Sequence, residues 1–560
     1  MSRRWVPGVP DLVFGLVLAA TLIGGRYRLL NDPGTLWHLR LGRDILANGA
    51  IPRLDTLSFS KGGQPWVDQS WLFDVGLAWL VDQGGWSTTC VVFALIIAST
   101  YALLARGLLL DGRSPMPVLV VAIFATGIGA IHFLIRPLVF TLLFVFLTLR
   151  LCQRQHERGG RTVYLVPLLT IVWANLHGGF LAGPFIVFSS GVGHAISGPW
   201  DSTRKKQLGV FGLAGVLCLI AALINPFGLD LFRHVGRLLI SSGVTELIQE
   251  YQPIPFGKPD MRVYEWILIA WLAVPSFALG RMTRYELTQS LVWLHFSLAS
   301  VRNAPLFALA VAPGLARLLD SLPFGKTEGA RPKGLAEWSY WPAIAATGLG
   351  IALASGANLG GFDPSHWPLA GLNALNKEAT SLPLFHEQDW GGMISAESLP
   401  VRKVYLDDRF ELYGKPFILR YLNALAGGPD WDAVRDQESI GLVWIRPDRD
   451  LARRLKEDPR WRVVHQDAVS VLFRRIGEPI RRPEVTGEPY RVPLTTGLTF
   501  AARHSILEGG SDSRQDQRLR TIRRVDTSSG SRFGAVIPVS SSQEMGMVAL
   551  TGHSICFSNR

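Results

Sequence analysis

The chain has 560 residues, 48% of them hydrophobic and 18% charged, and a net charge of +12. The balance does not describe a nucleic-acid-binding protein, because the basic residues lie in short loops between apolar runs and in the C-terminal tail, with no basic helix interleaved with aromatics. Cys90, Cys152, Cys218 and Cys556 form no C-x-x-C pair, so neither a zinc site nor a disulfide framework is indicated.

The N-terminal stretch MSRRWVPGVPDLVFGLVLAATLIGG lacks a convincing small-residue cleavage site and reads as a retained first helix. Apolar runs at 11–25, 91–110, 117–135, 163–176, 208–225 and 339–358 approach the roughly 20-residue length that crosses a bilayer. Such a series predicts an α-helical polytopic membrane protein. With Ser2-Arg3-Arg4 on the cytoplasmic side, about eleven spans place the basic loops 106–113, 153–161, 203–206, 281–284 and 325–333 on that same side. The polar motifs at Arg136, at Asn175 and His177, at Asn225, and at Arg302 and Asn303 then share the opposite face. Snorkelling to headgroups and helix capping would account for any one of them; four at one face point toward function.

The same face carries the first outer loop, residues 31–70, whose Asp32, Asp55 and Asp68 concentrate acid beside the membrane. Within it, 35–49 reads as an amphipathic helix with Leu36, Leu39 and Leu46 on the face turned to the bilayer surface. Asp32 precedes that helix as an N-cap or as an acid held at the membrane edge. His38 and Gly42 are one turn apart, which leaves space beside the imidazole. Asp55 begins a turn after Pro52, or acts as an acid. Trp66 and Trp71 suit an interfacial belt better than a sugar platform.

Residues 359–476 predict an α/β domain beyond the last span. Strands are expected at 403–410, 441–448 and 461–475, helices at 417–427 and 449–458, and a hairpin turn near Asp467. Arg409, among Asp407, Asp408 and Glu411, reads either as a structural ion-pair cluster or as an acceptor-binding group. No G-x-G-x-x-G follows a strand, so dinucleotide binding is not supported. The Ser-, Arg-, Gly- and Thr-rich tail from about 477 has no periodicity and is expected to be disordered.

Three strings of the first loop carry a resemblance: D-x-x-x-x-W-H-L-x-x-G (Asp32, Trp37, His38, Leu39, Gly42), I-P-x-x-D (Ile51, Pro52, Asp55) and P-W-V-x-x-x-W-L (Pro65 to Leu72). Further on stand N-P-x-G (Asn225, Pro226, Gly228), R-N-x-P-L-F (Arg302 to Phe307), W-G-G (Trp390 to Gly392) and D-x-R-x-x-x-Y (Asp407, Arg409, Tyr413). Over roughly residues 10–476 the chain resembles GT-C superfamily glycosyltransferases, and within them an uncharacterised bacterial GT-C-like group. Related chains often carry an acid just before the Trp-Leu of the last loop string; here that position is Ser70, and Asp68 or Asp55 could substitute.

The resemblance implies a GT-C-like transmembrane domain over 1–358, an extracytoplasmic α/β domain over 359–476 and a basic tail over 477–560. It implies sugar transfer from a polyprenyl-phosphate donor to a glycan, lipid or protein acceptor at the outer face of the inner membrane, with inversion expected. Asp32 is then the base or acceptor-orienting group, with Asp55 and Asp68 as further catalytic carboxylates. Trp37, His38, Arg136, His177, Asn225, Arg302 and Arg409 are the substrate-binding candidates, the arginines suited to phosphate by their fork of donors. No cofactor is required; a divalent cation is compatible, though the loop has no D-x-D. The rival classes are a transporter, which midplane charges and broken helices would mark, and a non-catalytic envelope-assembly protein with a degenerate GT-C fold.

Overall fold

The computed structural model describes residues 5–24, 27–241, 243–257, 262–277, 282–322, 339–398 and 400–476. The tail expected to be disordered, the whole basic stretch 325–333 and Arg281 of the loop 281–284 lie outside them.

Helix α1 (Val9–Ala19) leads through a π-turn and a short 3-10 turn to α2 (Gly34–Asn48). The first loop then reaches α3 (Trp71–Leu110), which breaks at Gly85, where φ is +69°, a value natural for a residue without Cβ. There follow α4 (Pro115–Gly129), α5 (Leu138–Arg158), α6 (Leu165–Leu176), α7 (Ala182–Ile196), α8 (Ser202–Ala221), α9 (Leu229–Gly236), α10 (Arg262–Phe277), α11 (Arg284–Ala299), α12 (Ala304–Asp320) and α13 (Trp341–Ala354). Helices α1 and α2 both pack on α3, α12 on α4 and α11, and α7 on α5, α8 and α11.

Among the described residues, four helical stretches are long and apolar enough to cross a membrane: Trp71–Leu110, Pro115–His132, Leu138–Arg158 and Gly178–Ile196. Val9–Gly24, Thr162–Leu176 and Trp341–Ala354 are apolar but shorter. The stretch 71–84, which hydropathy separates from the span at 91–110, is continuous with it apart from the break at Gly85.

The C-terminal layer holds α14 (Leu369–Leu375), α15 (Gly391–Glu397), α16 (Phe410–Tyr413), α17 (Lys415–Leu425), α18 (Asp430–Gln437) and α19 (Asp450–Glu457) around a four-stranded sheet. Its strands are β1 (Leu384–His386), β2 (Leu442–Ile445), β3 (Trp461–Gln466) and β4 (Val471–Arg475), in the order β1-β2-β4-β3. Strand β1 is parallel to β2, and the other pairs are antiparallel. Because side chains alternate along a strand, the sheet has two buried faces. Leu442, Trp444 and Leu472 join the core shared with the helical bundle, while Val443, Ile445 and Phe473 join a second core under α17, α18 and α19.

Three sequence expectations differ from this layer and the loop beneath it. Residues 403–410 do not form a strand: Val404 makes one isolated bridge to Ser58 of the first loop, after which the chain turns so that Asp407, Asp408 and Arg409 face inward. Strand β1 carried no alternating signal because all three of its residues are buried. The apolar face of α2 does not turn to the bilayer: Leu36 and Leu39 are buried in the bundle core, and only Leu46 is exposed.

Candidate functional site

A short backbone bridge places the first acid. Ile135 N–H donates to the carbonyl of Leu29 at 2.9 Å, which brings the segment after α1 alongside the turn before α5. Asp32 then caps the start of α2, its Oδ2 accepting from Thr35 N–H at 2.8 Å and Thr35 Oγ1 at 2.9 Å. Thr35 Oγ1 also lies 3.0 Å from the Ile135 carbonyl oxygen. The other oxygen, Oδ1, faces Arg136 Nε in an ion pair. Asp32 thus uses one oxygen at the start of α2 and the other on Arg136.

Arg136 is the hub. Its Nη1 meets Glu250 at 2.9 Å and its Nη2 meets Asp408 at 3.2 Å. Burial alone would weaken the guanidinium's hold on its proton; Asp32, Glu250 and Asp408 more than reverse that. Asp408 also accepts from Trp37 Nε1. Its carboxyl is pushed up to about 8, chiefly by burial and against the pull of Arg136. Gly34 admits this approach, since a Cβ there would stand 2.8 Å from Asp408 Oδ2.

Glu250 links the hub to a second cation. Arg302 Nη1 lies 3.7 Å from Glu250 Oε2 and donates to Tyr251 Oη at 2.9 Å. The turn bearing Arg302 is tied to the Glu250 segment by Val301 N–H to the Gln252 carbonyl and Ser300 Oγ to the Glu250 carbonyl, both 2.9 Å. Glu250 is held down to about 2: burial would raise it, but Arg136 and Arg302 outweigh that. Arg302 Nη2 also approaches His177 Nε2 at 3.2 Å, and His177 Nδ1 faces Thr141 Oγ1 at 2.8 Å. Arg136, Arg302 and Glu250 keep 23%, 25% and 29% of their side-chain surface open, against 1% for Asp32. The two guanidiniums and Glu250 are therefore the open part of the cluster, and Asp32 its enclosed part.

A second group lies under α2. His38 Nδ1 is 2.6 Å from Asp74 Oδ1, and its ring stacks on Trp37 at 3.6 Å between centroids. Burial lowers His38 to about 3, against the pull of nearby Asp68 and Asp32, so the imidazole is neutral at pH 7. Asp68 Oδ1 accepts from Ser70 N–H at 3.2 Å, and burial followed by Asp74 drives its carboxyl well above the ordinary range.

A third group is sealed. Arg409 Nη2 lies 2.8 Å from Asp55 and 2.7 Å from Asp407, with Arg409 and Asp55 wholly buried. Trp66 covers the guanidinium at 4.9 Å, so this tryptophan sits inside rather than in a membrane belt.

The structure brings Asp32, Arg136, His177 and Arg302 into one network, with Trp37 attached through Asp408 and with His38 and Asp68 beside it. Asp55 and Arg409 form the sealed pair. Asn225 stands apart: its side chain holds the turn after α8, donating to the Ala222 carbonyl and accepting from Phe227 N–H, both at 2.7 Å. Sequence reasoning missed Asp74, Glu250, Tyr251 and Asp408 as members of the cluster. Asp408 adjoins the quoted Asp407 and Arg409, whereas Glu250 sits in an irregular stretch with no motif to single it out. Among the described residues, no group of three or more His, Cys, Asp or Glu side chains could hold a metal ion.

No family model matches the chain, and no curated protein does. Among solved structures it is similar to the arabinofuranosyltransferase AftD from Mycobacteria, at 14% identity and a TM-score of 0.46, over 85% of this chain and 40% of that one. A mutant form of the same enzyme aligns at 15% identity and a TM-score of 0.44, over 85% of this chain and 42% of that one. The chain thus spans less than half the length of that enzyme.

Proposed function

We propose that the protein is a membrane glycosyltransferase that moves a sugar from a polyprenyl-phosphate donor to a glycan, lipid or protein acceptor. The observation that carries this reading is the pairing of Asp32 with Arg136, next to Arg302. A carboxylate that can orient or deprotonate a hydroxyl stands beside two guanidiniums able to receive a departing phosphate, and Asp32 opens the first of the strings through which, taken as a set, the sequence resembles GT-C enzymes.

In this reading residues 1–358 form the transmembrane domain and 359–476 an extracytoplasmic domain on the side of the first loop, in the inner membrane with the N-terminus cytoplasmic. The donor phosphate takes the place of Glu250 and Asp408 on Arg136 and Arg302, which are its most open cationic groups. Removing those carboxylates from Arg136 uncovers Asp32 to the acceptor hydroxyl. The acceptor oxygen then attacks the anomeric carbon, with inversion, as the C–O bond to phosphate breaks. Charge that develops on the phosphate is met by arginines already in place, while Asp55 and Arg409 hold the first loop against the outer layer.

The test is sugar transfer from radiolabelled polyprenyl-phosphate monosaccharides by purified protein, with Asp32→Asn as control and an endogenous lipid extract as acceptor. Transfer by the natural chain and not by the variant is the expected result. Equal transfer by both rejects Asp32. Absence of transfer from every donor by folded protein rejects the enzyme and favours transport or assembly.

A further inference from the structure

Three carboxylates share two guanidiniums in the Arg136 cluster. Arg136 meets Asp32, Glu250 and Asp408, and Arg302 reaches Glu250 as well. His177, beside Arg302, is kept neutral by burial and by that guanidinium, so it adds no positive charge. A donor phosphate therefore comes to a site whose acids already outnumber its cations, and one more anion there is costly. A proton on one of the three acids lowers that cost. Asp32 spends both oxygens on donors, Oδ2 on Thr35 and Oδ1 on Arg136. Glu250 is ionised, since Arg136 and Arg302 outweigh its burial. Asp408 differs from both: burial pushes its carboxyl up to about 8 against the pull of Arg136, and Asp32 and Asp407 add to the rise.

Its position is as distinctive as its charge. Asp408 Oδ2 lies 3.2 Å from Arg136 Nη2, and 13% of the side chain is open, against 1% for Asp32. Its Oδ1 accepts from Trp37 Nε1, which anchors that oxygen to α2 independently of Arg136. A Cβ on Gly34 would stand 2.8 Å from Asp408 Oδ2 and 3.3 Å from Asp32 Oδ2, so both carboxylates border one space that a side chain at this position would fill. A phosphate that takes over the Nη2 contact thus finds Asp408 still beside it, held by Trp37. The other charged groups of its own segment are Asp407 and Arg409, which pair with each other. Glu411 is also raised, to about 7, chiefly by burial. Among the described residues it pairs with His234, at 4.0 Å, rather than with either guanidinium.

We infer that Asp408 is a donor-binding residue that meets the phosphate in its protonated form, donating an O–H···O hydrogen bond to a phosphate oxygen held by Arg136, so that donor and proton bind together. This rests on the glycosyltransferase reading and specifies the charge state of its donor site. The proton comes from solvent and stays on Asp408, and no bond of the sugar is made or broken in this step. During transfer the same hydrogen bond strengthens as charge grows on the departing phosphate. When the product phosphate leaves, Asp408 returns to Arg136 Nη2.

The experiment titrates the purified chain in nanodiscs with the methyl ester of polyprenyl phosphate, a phosphodiester whose single charge does not change over the pH range used. Affinity should be level up to about pH 8 and then fall by about tenfold per pH unit, because above that pH the proton must be drawn from solvent. Calorimetry at about pH 9, in buffers of different ionisation heat, should show uptake of about one proton per phosphodiester. Asp408→Asn keeps a donor for the phosphate and an acceptor for Trp37, and its affinity should no longer vary with pH. Asp408→Ala should be equally level but weaker than Asp408→Asn by about tenfold. Natural protein that binds the diester with no pH dependence and no proton uptake overturns the inference, with or without folded variants, and leaves the donor reading standing. A pH dependence that survives in Asp408→Asn also overturns it, and its loss in Glu411→Gln would assign the proton to Glu411. Absence of binding at every pH overturns both the inference and the donor reading. Proton-linked binding without sugar transfer from any donor would reject the glycosyltransferase reading and keep Asp408 as part of a phosphate site.

Discussion

Arg409 Nη2 lies between Asp55 of the first loop and Asp407 of its own segment, 2.8 and 2.7 Å away, and the group is closed to solvent. Breaking a buried pair leaves an uncompensated charge, at a cost of about 3–5 kcal/mol. Arg409→Ala and Asp55→Ala should each lower the thermal midpoint of the detergent-solubilised protein sharply. Joint replacement by apolar residues of similar volume should cost much less than the two single losses together. A catalytic Asp55 would behave otherwise: Asp55→Asn would keep the midpoint and lose only turnover.

Arg136 should govern the donor. Arg136→Gln leaves Asp32, Glu250 and Asp408 facing one another without their shared cation, so affinity for polyprenyl phosphate should drop by at least tenfold. Arg136→Lys should recover little of it, because an ammonium cannot reproduce the guanidinium fork. Titration of the purified variants with polyprenyl phosphate checks this, and equal affinity in all three proteins would remove Arg136 from the donor site.

Stability should fall as pH rises from about 4 to about 8. Asp408 is pushed up to about 8 and Glu411 to about 7, in each case chiefly by burial. Across that window the folded chain keeps protons that the unfolded chain has released, so each group lowers stability by up to about 1.4 kcal/mol per pH unit. Asp408→Asn should flatten the slope of thermal midpoint against pH. An unchanged slope would show that Asp408 ionises normally.

Gly42→Ala should separate α2 from α3, since its Cβ has no room against the Asp74 carbonyl. Overpacking of this kind costs about 1–3 kcal/mol, and the midpoint should fall accordingly. Gly76→Ala, a substitution into open space on the same helix as Asp74, is the control and should leave it unchanged.

Much of this was legible in the chain, and the remainder has identifiable causes. The helix over 35–49 is observed over Gly34–Asn48, because an acid cap, a 3.6-residue apolar period and a closing glycine agree locally. The direction of its apolar face was not legible: Leu36 and Leu39 would suit lipid as well as the core they enter. The helices expected at 417–427 and 449–458 appear at Lys415–Leu425 and Asp450–Glu457. The strand expected at 403–410 fails because its acids and Arg409 are drawn to partners some 270–350 residues away in sequence, Arg136 and Asp55, which no local pattern encodes. For the same reason Asp32 could be singled out but its contact with Arg136 could not.

The bridge from Arg136 to Asp408 also orders events during synthesis. Asp32, Asp55 and Arg136 emerge from the ribosome some 270–380 residues before Asp408 and Arg409. Until the last of these arrives, Asp55 has no cation and Arg136 lacks one of its three carboxylates. A chain ending before residue 400 therefore holds every acid of the first loop but neither the cation of Asp55 nor the third carboxylate of Arg136, and the activity proposed here would switch on only once translation has run past Arg409.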